Sequence, residues 1–156
     1  ASYDYGKIIN EKRFDKLLTY LNTGKIIYGG TYDKNKLYIS PTIIDNITLD
    51  APIMKEEIFG PLLPVISYRT TEEAMQVVKA NANPLAFYLF TASGEKEQQW
   101  VDNIPFGGGC INNTDWHFTN HHLPFGGVGN SGLGSYHGKF TFDTFTRQKP
   151  LLRSTV

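Results

Sequence analysis

Between Asn10 and Asn112 the chain keeps changing its hydrophobic period. Apolar residues fall three and four apart, as on one face of a helix. They then run together or alternate, as in a strand, and return to helical spacing. A chain patterned this way must bury short strands against helices, which points to an α/β fold with some parallel pairing. Asn10 is placed to cap a helix carrying Phe14, Leu17, Leu18 and Leu21, with Gly24 as its stop. Strands are expected at 26–28, at 37–44 with Pro41 interrupting, and at 62–68. Thr70 and Glu73 make a capping-box pattern for a helix bearing Ala74, Val77 and Val78, ended by Asn83-Pro84. A buried strand follows at 85–91, then a helix capped by Ser93 through Trp100, Val101 and Ile104, then a short strand at 109–112.

After Asn113 the periodicity is lost. Residues 113–138 hold all four histidines and a concentration of glycines. Such a stretch is expected to be loop held by the preceding scaffold, and loops of this length usually carry function. A short helix and a strand at 149–153 are expected beyond it.

Bulk composition excludes several classes. Fifteen basic side chains balance fifteen acidic ones, so no nucleic-acid or anionic-membrane partner is expected. No apolar run approaches the roughly 20 residues of a membrane span, and the first residues lack the apolar stretch of a signal peptide. Cys110 is the only cysteine. It cannot form an internal disulfide, so a cytoplasmic location is expected.

Two segments carry chemistry. In Glu56-Glu57-Ile58-Phe59-Gly60-Pro61, a carboxylate can accept hydrogen bonds from paired ribose hydroxyls. A phenylalanine two residues on would share its face of extended chain and pack on a flat ring. The alternative is a solvated glutamate pair before a turn. In the second segment, 124–134, Gly127-Val128-Gly129-Asn130-Ser131-Gly132 has the formal spacing of a dinucleotide loop. It lacks the preceding strand and following amphipathic helix that a phosphate cradle needs. It reads instead as a loop that lets backbone approach another surface, with Phe125 left to line a pocket. His117, His121 and His122 show no aligned spacing, so surface histidines and no metal site are expected. Cys110 sits in a predicted buried strand, where a thiol behaves as a small hydrophobe.

Together, Glu56–Pro61 and 124–138 resemble the aldehyde dehydrogenases, and the class 3 or fatty-aldehyde type most closely through 4–10, 84–88 and 135–139. The resemblance covers nearly the whole chain. It implies part of a three-layer sandwich with a mixed, mostly parallel sheet: 1–138 from the catalytic domain and 139–156 as a C-terminal tail. It implies that Glu57 binds the nicotinamide-ribose hydroxyls, that Phe59 packs by the nicotinamide, and that Phe125 lines the substrate tunnel. Asn112 matches an asparagine in the strand before the substrate loop. The family oxidises aldehydes to carboxylic acids with NAD or NADP through a cysteine thiolate. That cysteine, the general-base glutamate and the nucleotide-binding domain lie upstream of these residues in the family. No catalytic residue is therefore expected in this chain, which is expected to be a fragment, inactive alone, of a homo-oligomer such as a dimer. Two alternatives stand beside this one: a non-catalytic oligomerisation or binding module, and a small thiol enzyme using Cys110.

Overall fold

The computed structural model describes residues 5–155, so Asp4 of the first matching segment and Val156 of the tail lie outside the described residues. The chain divides into two compact units, one ending at Arg69 and one beginning at Thr70.

In the first unit, helix α1 (Glu11–Tyr20) starts where Asn10 predicts, its side chain accepting a 2.8 Å hydrogen bond from the Arg13 N–H. Phe14, Leu17 and Tyr20 are fully buried and form the centre of the core with Ile39, Ile44 and Ile53. The helix ends at its cap Leu21, short of Gly24. Strand β1 (Lys25–Tyr28) pairs antiparallel with β4 (Thr42–Asp45), which pairs parallel with β5 (Leu62–Pro64). A separate antiparallel pair joins β2 (Tyr32–Asp33) to β3 (Tyr38–Ile39). The single strand expected over 37–44 is thus two strands in different sheets. Pro41, which has no N–H to give a ladder, sits at the break. The strand expected over 62–68 keeps only three residues.

In the second unit, α2 (Thr71–Ala80) and α3 (Gly94–Asn103) begin at the predicted caps Thr70 and Ser93. Strands β6 (Ala86–Leu89) and β7 (Gly108–Ile111) pair in parallel. Ala74, Met75, Trp100 and Ile104 are buried, and Phe87 stacks on Trp100 and Phe106 with centroids 5.6 and 5.2 Å apart. Trp100 and Ile104 are one helical turn apart. Val101, expected among them, is turned a quarter-circle away and is exposed. Both strands are half-buried throughout, not fully buried as their composition suggests.

The stretch 113–138 is not all loop: it holds helix α4 (Trp116–Thr119) and a 3-10 turn (Gly129–Ser131). Helix α5 (Gly138–Phe145) follows. Residues 146–155 form no strand, since among the described residues no neighbouring strand supplies the N–H and C=O groups that a ladder requires. The fold is α/β with both parallel and antiparallel pairing. No helix among the described residues is long and apolar enough to cross a membrane.

Candidate functional site

One face of α1 receives the whole Glu56–Gly60 segment. Arg13, Lys16, Leu17 and Tyr20 recur at positions i, i+3, i+4 and i+7 and so share that face. The Tyr20 hydroxyl donates to Glu56 Oε1, and the Lys16 ammonium lies 2.9 Å from the same oxygen. Arg13 Nη2 donates to the carbonyl oxygens of both Glu57 and Ile58, and Arg13 Cζ stands 5.7 Å from the centre of the Phe59 ring. A Cβ on Gly60 would come within 2.5 Å of the buried Leu17 Cδ1, so only glycine lets the chain lie this close to the helix.

This docking separates two adjacent glutamates that, apart from the family resemblance, the residue pattern leaves equivalent. Glu56 is tethered. The Tyr20 hydroxyl, and after it Lys16, hold its carboxyl below the usual glutamate range, and burial with the bond to Glu56 raises the Tyr20 hydroxyl. Glu57 is exposed, makes no ion pair among the described residues, and is fixed only through its backbone carbonyl. Phe59 is 69% exposed and adopts φ 44°, a left-handed conformation costly for an aromatic residue. The segment is therefore not extended chain, and the expected same-face argument does not apply. A turn, clamped by Arg13, exposes both side chains. A groove bounded by Ile9, Asn10, Arg13, Lys16, Glu56 and Phe59 runs beside it. An accessible carboxylate two residues from an uncovered aromatic ring suits a diol attached to a flat heterocycle.

In the second unit the Phe125 backbone exchanges two hydrogen bonds with Tyr136, at 2.8 and 2.9 Å, which closes the glycine loop on itself. The Phe125 ring is half-buried and stacks on His137 at 5.4 Å, with Tyr136, His117 and Phe118 at its edges. Behind the ring, a Cβ on Gly107 would stand 2.2 Å from the Gly126 carbonyl oxygen. The glycines thus serve close approach of backbone to backbone. No α-helix starts within 127–132, which forms a 3-10 turn instead.

Asn112 directly follows β7 and adopts φ 56°. Its side-chain amide accepts from the Thr91 N–H at 2.8 Å and donates to the Thr91 carbonyl at 2.9 Å. It extends the β6–β7 ladder by one side-chain rung.

His117 corrects an expectation. It is 7% exposed, not a surface histidine, and its Nδ1 lies 3.7 Å from Cys110 Sγ. The α4 turn carries it inward, between the Tyr88 ring and Gly108. Tyr88 in turn donates to Asp115 at 2.8 Å, and burial first, then that bond, raises its hydroxyl. Cys110 is half-buried. Among the described residues no three His, Cys, Asp or Glu side chains converge as a metal site would need. Of the residues at these sites, the sequence pattern missed Arg13. Arg13 was legible only as one more position on the α1 face, and nothing local marks its partner 44 residues away.

Comparison with known proteins agrees with this geometry. The aldehyde dehydrogenase family model matches residues 1–151. The 4,4'-diaponeurosporen-aldehyde dehydrogenase of Staphylococcus aureus is 46% identical over 150 residues, covering 95% of this chain and 33% of that protein. The mouse protein named aldehyde dehydrogenase, dimeric NADP-preferring, is 39% identical over 151 residues, covering 97% of this chain and 33% of its own length. The substrate-bound structure of Staphylococcus aureus AldH superimposes with a TM-score of 0.88 at 43% identity, over 97% of this chain and 35% of that one. The chain spans about a third of the length of these relatives. With the family's two motifs in order, its α/β fold, and a match running through nearly every residue, the chain belongs to the aldehyde dehydrogenase family.

Proposed function

We propose that this chain supplies the cofactor-facing turn and one wall of the substrate pocket of an NAD(P)-dependent aldehyde dehydrogenase that oxidises an aldehyde to a carboxylic acid. The observation that carries this reading is the division between the two glutamates: Glu56 is tied to α1, while Glu57 and Phe59 stay accessible on a clamped turn. A bound dinucleotide would supply the hydride acceptor. Glu57 would accept hydrogen bonds from its ribose hydroxyls, Phe59 would offer an aromatic face to the nicotinamide, and Phe125, fixed by its stack on His137, would wall the aldehyde pocket. Residues 1–138 belong to the catalytic domain in this reading, and 139–156 form a tail that joins subunits of a cytoplasmic oligomer. Phe142, Phe145, Leu151 and Leu152, each at least 66% exposed, support an apolar tail covered by another chain. The dimeric NADP-preferring relative supports both the oligomer and the cofactor class.

These residues supply no competent nucleophile in this reading, so the 156-residue chain alone oxidises no aldehyde. The test uses the enzyme that contains the chain. Glu57→Gln is expected to raise the KM for NAD(P) about tenfold, the order of one charge-assisted hydrogen bond, while Glu56→Gln changes it less than threefold. Equal effects of the two substitutions, or none at Glu57, would overturn the assignment.

A further inference from the structure

We propose that Arg13 is a positioning residue that sets the conformation of the cofactor turn, and so the reach of Glu57 and Phe59, without serving as their substitute. The proposal rests on the cofactor assignment just given.

Three observations converge on one side chain. Arg13 Nη2 donates to two successive carbonyls, those of Glu57 and Ile58, which fixes the direction of the peptide planes on both sides of Ile58. The same guanidinium lies over the Phe59 ring at 5.7 Å, and its Nη1 is 4.0 Å from Glu56 Oε2. Finally, Phe59 occupies φ 44°. A bulky residue holds that conformation only where its surroundings over-determine it. Nothing in the local sequence favours it: the glycine that would accommodate a left-handed turn stands one place later, at Gly60.

Arg13 is suited to the work for reasons of geometry. Its Cα sits in the first turn of α1, anchored by the Asn10 cap on one side and the fully buried Phe14 on the other. Its side chain is 17% exposed, and its Nε has no hydrogen-bond partner among the described residues. Both bonds leave one nitrogen, Nη2, while the flat face of the same guanidinium lies over the Phe59 ring; a lysine ammonium, a point charge on a flexible stem, offers donors but no planar group to hold at both places. Tyr20 and Lys16 hold only the Glu56 end of the turn. Among the described residues Arg13 supplies the polar contacts at the Glu57–Phe59 end, where Ile58 also packs on the core.

The test compares Arg13→Ala, Arg13→Lys and Glu57→Ala in the aldehyde-oxidising enzyme that contains this chain, by steady-state kinetics and by amide hydrogen exchange without nucleotide. Arg13→Ala is expected to raise the KM for NAD(P) about tenfold, to leave the aldehyde KM within twofold, and to speed exchange at 58–60 in the nucleotide-free enzyme. Arg13→Lys keeps the cation but not the planar group over Phe59, and is expected to restore less than half of the lost affinity. Unchanged exchange at 58–60 in Arg13→Ala, or full rescue by lysine, would overturn the positioning role. If Glu57→Ala also leaves the NAD(P) KM unchanged, the cofactor assignment itself has failed. If Glu57→Ala raises it and Arg13→Ala does not, only the inference about Arg13 has failed.

Discussion

Replacing Gly107 by alanine tests whether backbone-to-backbone packing holds the glycine loop behind Phe125. The added methyl carbon would lie 2.2 Å from the Gly126 carbonyl oxygen and 2.6 Å from the Leu85 carbonyl oxygen. Carbon and carbonyl oxygen ordinarily meet at about 3.3–3.6 Å, so one wall must retreat by about 1 Å. Neither wall is a side chain that can rotate aside. Gly107 itself donates to the Pro84 carbonyl at 3.0 Å, and the next residue donates to Leu85 at 3.1 Å. On the far side, the Phe125–Tyr136 pair fixes the start of the loop. Overpacking usually costs about 1–3 kcal/mol, and with backbone on both faces the upper end, about 3 kcal/mol, applies. For a chain of this size that corresponds to a fall in Tm of roughly 6–12 °C. Urea denaturation of the wild-type chain and the variant measures the change, with Gly94→Ala as control because nothing lies within 4 Å of a Cβ there. A Gly107→Ala chain within about 0.5 kcal/mol of wild type, the ordinary scatter of surface substitutions, would refute the reasoning.

Two further outcomes follow from the same geometry. Asn112→Ala loses both hydrogen bonds to Thr91 and keeps a strained φ of 56°, so a loss of about 2–3 kcal/mol is expected; Asn112→Gly, relieved of the strain, should lose measurably less in the same denaturation assay. The Glu56 carboxyl titrates below its ordinary range because the folded state favours its charged form. Its contribution is therefore complete above the unfolded glutamate pKa and disappears as pH falls through the depressed folded value. The Tm difference between wild type and Glu56→Gln should shrink on acidification through the lower carboxylate range, and a difference that stays constant there would argue against the Tyr20–Lys16 tether.

What the sequence made legible was local. Asn10, Thr70 and Ser93 announce their helices because an N-cap acts on an amide three residues away. Pro41 announces a break because it lacks a donor. The turn at 56–60 was legible as a motif but not as a shape: its left-handed Phe59 depends on Arg13, which stands 44 residues before Glu57. His117 looked like a surface residue because a four-residue helix gives too few positions to show a buried face. The tail at 149–153 has strand-like composition, yet a strand needs a partner edge, and composition does not say where that edge comes from.

The two backbone bonds between Phe125 and Tyr136 also decide how the loop can change. They pinch 126–135 into a closed excursion whose tip includes Leu133, 96% exposed. Beyond the pinch, length affects only the entropy of closing the loop, about 0.6 kcal/mol for each doubling. Residues inserted at the tip would therefore leave the Phe125 ring where it is. The Phe125 ring is mechanically insulated from its own loop, and the tip is where this scaffold can take on new sequence without moving that ring.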